Sequence, residues 1–191
     1  MTYVIIYPDG RAEQRPGIPS LASPDNRPES LARLIAAQGQ ETGPIDLIRS
    51  SFANIAAWAN DEFLTHAQAG RMQRNVIGSV VLGLVGATEQ AYAGPLVFTG
   101  LYYHPIEGYL PAGLEPSAEL ALMTAVDDVT FVLTGTGRPS AALEQWAEGE
   151  IKRLAEVARR DWDSFAADAL RIMSLDDWLG HQTGGRPGPQ A

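Results

Sequence analysis

Cysteine is absent from the chain, which excludes disulfide scaffolds, thiolate zinc sites and cysteine nucleophiles together. Lysine is nearly absent: of 14 basic residues only Lys152 is one. Because the same sequence is rich in Ala, Gly and Pro, we read this as GC-rich coding and take arginine abundance as no sign of binding. No stretch of about 18 uncharged apolar residues occurs, and MTYVIIYPDGR has no basic start leading into a long apolar region. Neither a membrane span nor a secretion signal is therefore expected, and the composition predicts a cytoplasmic protein. Internal repeats of 20–50 residues are also missing.

Positive charge is in deficit. With 23 acids against 14 bases the net charge is −9, which argues against nucleic-acid binding, since that affinity comes largely from Lys and Arg displacing counterions. The acidity is diffuse, with its largest share, 12 acids against 7 bases, in residues 116–191. What is plentiful is apolar surface: 45% hydrophobic residues over 191 positions suffice for one ordinary domain plus an extension.

Residues 3–7, YVIIY, are β-branched and aromatic and run into Pro8-Asp9-Gly10, a turn tripeptide, so a hairpin returning through 11–15 is predicted. Asn26 and Glu29 have capping-box spacing ahead of Leu31, Leu34 and Ile35, a short helix stopped at Gly39. IDLIR (45–49) and 54–60 read as paired strands; in NVIGSVVLGLVGA (75–87) the β-branched residues favour a strand, while the length and an Asn75 cap favour a buried helix, the reading preferred here. LVFT after Gly94-Pro95 reads as a buried strand closed by Gly100, and YYHPIEGYLPAG as loop. Pro116 opens a helix to about Val126, VTFVLT (129–134) reads as a strand, and from Ser140 a long amphipathic helix or helical pair follows. Ser174 and Asp177 suggest another capping box, and TGGRPGPQA (183–191) a disordered tail. The expected class is α+β: a small mixed or antiparallel sheet with packed helices over 1–112, a helical extension over 113–182 carrying one further strand, and the tail.

Polar residues at element ends are the candidate site. Asn60-Asp61-Glu62, within WANDEFL, offers side-chain oxygens to a ligand at a strand end, although neighbouring carboxylates that point apart are no acid/base pair. The bland alternative is a turn in which Asn60 adopts αL or Asp61 caps the next segment while Phe63 and Leu64 go inward. Gly135-Thr136-Gly137 has the strand-to-helix context of a phosphate loop, but Ser140 replaces the third glycine and Pro139 removes a donor, so a tight turn is expected. His66, His104 and His181 lack zinc spacing, and Asp127-Asp128 and Asp176-Asp177 fit helix ends or solvated faces; no metal is assigned. Ser20, Ser30 and Ser79 lack a nucleophile-elbow context, so no catalytic residue and no cofactor are assigned. Tyr102, Tyr103 and Tyr109 with His104 form an aromatic segment; exposed, it would be an interface or stacking surface, but the large apolar body of tyrosine favours burial between sheet and C-terminal helices.

Taken together, YPDGR, WANDEFL, Asn75 opening an apolar glycine-containing stretch, and GPLVFTG resemble an uncharacterised domain family of small plasmid- and phage-borne proteins. The likeness covers roughly residues 3–100 and rests on Asn60, Glu62, Asn75, Gly94, Pro95, Thr99 and Gly100 in that order. It implies a compact α+β fold and an accessory role on mobile elements, and brings no activity with it. The resulting expectation is a non-enzymatic protein whose partner is another protein. Two alternatives stand beside it: a small-molecule or nucleotide-binding protein or enzyme with a pocket near Asn60, Glu62, Asn75 and Thr99, and an acidic DNA-mimic anti-restriction protein.

Overall fold

The structure is a computed structural model that describes residues 1–21, 30–50, 54–87, 90–137 and 148–164. Six antiparallel strands form one sheet, and helices cover both of its faces. The strands are β1 (Thr2–Ile6), β2 (Ala12–Pro16), β3 (Ile45–Arg49), β4 (Ile55–Asn60), β5 (Leu96–His104) and β6 (Gly108–Ala112). Their order is β2-β1-β5-β4-β3, with β6 paired to β5. The helices are α1 (Leu31–Leu34), α2 (Phe63–Gln68), α3 (Val76–Leu84), α4 (Pro116–Thr134) and α5 (148–164).

The hairpin of β1 and β2 forms as the sequence predicts, turning through Gly10 at φ 86°, a backbone conformation that glycine adopts without steric cost. Period-two alternation then sorts the side chains between two cores. Val4, Ile6, Ala57, Leu96 and Phe98 face α3, α4 and α5, while Tyr3, Ile5, Ala56, Trp58 and Val97 face α1 through Leu31 and Ile35. With both faces covered, β4 is buried along its whole length.

The α3 segment is β-branched yet helical. Asn75 caps it, and Gly78 and Gly83 let its backbone lie close to Leu96 and Leu154, where a Cβ would fall 2.7 and 2.8 Å from those side chains. Residues 129–134 correct the sequence reading: VTFVLT is the last part of α4, not a strand. Ala118, Leu122, Val126 and Val129 are buried at helical spacing, so the face that begins at Pro116 continues through the β-branched run. Propensity opposes this by only roughly 0.5 kcal/mol per residue, less than one well-buried valine contributes. Gly135, at φ 70°, then ends the helix as a left-handed cap donating to the Phe131 carbonyl. The Gly135–Gly137 turn therefore follows a helix and has no phosphate-loop context.

YYHPIEGYLPAG is likewise not loop. β5 runs on to His104, turns through residues 105–107, and returns as β6, with Gly108 at φ 79° closing the hairpin. A three-residue loop followed by a left-handed glycine is a favoured hairpin connection. Asn26, Glu29, Pro139, Ser140, Ser174, Asp176, Asp177, His181 and the 183–191 tail lie outside the described residues.

Candidate functional site

Asn60, Asn75 and Thr99 are buried, and their hydrogen-bonding groups are spent on the fold. Asn60 stays in β4 rather than turning left-handed. Its Nδ2 donates to the Ile35 carbonyl at 3.2 Å, and its Oδ1 accepts from the Glu62 amide at 2.9 Å. Asn75 joins three elements: Oδ1 accepts from the Gly78 amide at 2.8 Å, and Nδ2 donates to the Ile6 and Gly94 carbonyls, each at 2.9 Å. Ser79 continues this network, donating to the Asn75 carbonyl and accepting from the Tyr92 amide. Thr99 Oγ1 accepts from the Trp58 indole at 2.8 Å and donates to the Gly100 carbonyl at 2.6 Å. The three side chains do not converge: Asn60 and Thr99 serve the α1 side, Asn75 the α3 side.

Asp61 and Glu62 sit on the exposed turn between β4 and α2, while Phe63 is buried and Leu64 partly so. Glu62, not Asp61, occupies the N-cap position of α2. Near this turn lies Asp46, whose carboxyl is raised above the usual range by burial and then by the charge of Asp61. Burial, followed by the charge of Asp46, also raises the Tyr92 phenol. His66 is 2% exposed, with neither ring nitrogen hydrogen-bonded. Its Nε2 is 3.4 Å from a Glu62 carboxylate oxygen, close enough for an ion pair but not in hydrogen-bonding geometry. Asp128 is buried within α4 rather than at a helix end or on a solvated face. Among the described residues no three His, Asp or Glu side chains form a metal-holding group. A groove of about 450 Å³ beside α4 and α5 is walled by Leu84, Leu120, Ala121 and Ile151, with Asp128 as its ionisable side chain.

The aromatic segment corrects the sequence expectation of burial. Tyr102 is 55% exposed, Tyr103 59%, Tyr109 39%, and Ile106 at the hairpin tip 90%. The hairpin extends past the last β4 partner, so its side chains leave the sheet in both directions, and among the described residues no helix lies over them. On one face Tyr103 and Tyr109 meet edge to face with centroids 5.2 Å apart; Arg49 of β3 lies 5.0 Å over the Tyr109 ring and donates to its hydroxyl at 2.7 Å. Across the other face Tyr102 stands 6.4 Å from His104, whose Nδ1 accepts from the Glu107 amide at 3.2 Å and so braces the turn. Arg49 and Ile106 escaped sequence reasoning. The alternation of LYYH and GYL around Gly108 carries the signal for the hairpin, whereas the arrival of Arg49 depends on strand order.

No helix among the described residues is long and apolar enough to cross a membrane. Comparison with protein-family models, with curated proteins and with solved structures finds no match to the chain.

Proposed function

We propose that the protein is a non-enzymatic accessory protein of a mobile genetic element, cytoplasmic, that contacts another protein through the β5–β6 hairpin. One observation carries this reading: Asn60, Asn75 and Thr99 of the candidate site hold the fold together, while large aromatic side chains are displayed on a hairpin braced by Arg49 and His104. Tyrosine and arginine are the residue types that concentrate binding energy at protein interfaces, and Arg49, Tyr103 and Tyr109 form such a group. The mobile-element assignment rests on the sequence resemblance alone.

The test is capture from the native host with the full chain as bait. A protein retained by the wild type should be lost with Tyr103→Ser/Ile106→Ser and kept with Asp61→Ala/Glu62→Ala. Turnover of a nucleotide, ester or glycoside that disappears in Glu62→Ala would instead make the protein an enzyme.

A further inference from the structure

We propose that the hairpin face formed by Arg49, Tyr103 and Tyr109 receives a carboxylate side chain, Asp or Glu, that stands beside an apolar residue on a partner polypeptide. The proposal rests on the reading of the hairpin as a contact surface and names the chemistry of what it contacts.

Strand order brings the charge to this face. Arg49 is the last residue of β3, Tyr103 and Tyr109 are cross-strand partners in β5 and β6, and the β4 ladder stops at Ile55 opposite Gly100. The long arginine side chain therefore reaches the hairpin past the end of β4. Its guanidinium lies 5.0 Å over the Tyr109 ring, and Nη1 donates to the Tyr109 hydroxyl at 2.7 Å. Tyr103 meets the same ring edge to face. Stacking and the hydrogen bond together hold the cation in one orientation before any partner arrives, which lowers the entropy lost on binding.

What this group lacks is an acceptor. Among the described residues Arg49 enters no ion pair, whereas Arg11, Arg15, Arg74, Lys152 and Arg153 each have a carboxylate. A guanidinium carries five N–H groups and no acceptor, and here one of them is used. The Tyr109 hydroxyl, having accepted, keeps its own hydrogen to donate. The complement of such a donor cluster is an acceptor-only, forked anion, and a carboxylate matches it by accepting bidentate from arginine. The flanking Tyr103 ring favours an apolar residue next to that acid.

Charge decides between a polypeptide and a nucleic acid. Nucleic-acid affinity accumulates over many neutralised phosphates, and one arginine on a chain of net charge −9 supplies one. A single carboxylate meets less opposition: residues 100–112 contain one acid, Glu107, and repulsion from acids farther than ~8 Å is largely screened at physiological salt.

Selection of random peptides displayed on phage, with the full-length protein as target, tests this. Enriched peptides should carry Asp or Glu beside an apolar residue. For a synthetic peptide from the selection, changing that acid to its amide should weaken binding to the wild type about tenfold or more, and binding to Arg49→Gln hardly at all, with Arg49→Lys intermediate. Arg49 is exposed at a strand end, so these variants should keep native circular dichroism and Tm. Enrichment without Asp or Glu, an amide peptide that binds as well as the acid, or no enrichment overturns the proposal, as does a single-stranded oligonucleotide that binds more tightly than the selected peptides. If acid and amide peptides bind alike while a captured host protein still depends on Tyr103 and Ile106, the carboxylate specificity falls and the contact-surface reading survives. If acid-dependent peptides are selected and no host protein depends on the hairpin, the carboxylate site stands and the accessory-protein reading falls.

Discussion

Replacing Asn75 by alanine separates a structural amide from a ligand-binding one. The side chain is fully buried and makes three hydrogen bonds, one to the α3 N-terminus and two to carbonyls of different segments. Losing the cap costs about 1 kcal/mol. The Ile6 and Gly94 carbonyls lose a buried donor at about 1–2 kcal/mol each, at the lower end because a carbonyl keeps a second lone pair for other bonds. The total is about 3–5 kcal/mol, equivalent in a chain of this size to a fall in Tm of about 10 °C. Urea denaturation followed by tryptophan fluorescence measures it. Asn75→Asp sharpens the argument, because it preserves the acceptor for the Gly78 amide while aiming carboxylate oxygen at two carbonyls. At pH 7 it should be less stable than the alanine variant, and it should recover as acid protonates the new carboxyl. A loss below about 1 kcal/mol in Asn75→Ala, with the fold intact, would refute the reasoning and return Asn75 to the list of residues kept for a ligand.

Asp46 should act on stability in the opposite sense. Burial and Asp61 raise its carboxyl pKa in the folded state, so the native protein holds the proton more tightly than the unfolded chain, and stability is lost as pH rises through that range. Asp46→Asn should therefore raise Tm at pH 7, and the gain should vanish as pH falls toward ~3.9; a constant gain across pH would count against this assignment. At Gly100 a Cβ would lie 2.4 Å from the Gly113 carbonyl oxygen, a backbone atom that cannot step aside, just where β4, β5 and β6 meet. Gly100→Ala should cost about 3 kcal/mol in urea denaturation, and near-native stability would show that the three strands approach less closely than described.

Local chemistry was legible wherever the deciding contacts are near in sequence. The Pro8-Asp9-Gly10 turn, the pairing of 45–49 with 54–60 and the Asn75 cap each depend on neighbours within a few residues, and each forms as the residues predict. Two errors share one cause. In VTFVLT the β-branched propensity was outweighed by a helix already under way from Pro116, and in YYHPIEGYLPAG a loop-like composition concealed a hairpin closed by Gly108. Both readings weighed composition against too short a window.

The site was less legible because hydrogen-bond satisfaction is a tertiary quantity. Asn60, Asn75 and Thr99 look equally available in sequence whether they meet a ligand or the carbonyls of Ile35, Ile6, Gly94 and Gly100. Residue pattern by itself determined the α+β class, the β1–β2 hairpin, the β3–β4 pair and the lack of cysteine chemistry, because turn propensity, alternation and composition act locally. Only the tertiary structure decided that the conspicuous amides are internal clamps and that Tyr103, Tyr109 and Arg49 come together in the open, with Tyr102 exposed on the opposite face. Those outcomes depend on strand order and on where β4 stops beside β5, and both are set by packing between segments far apart in the chain.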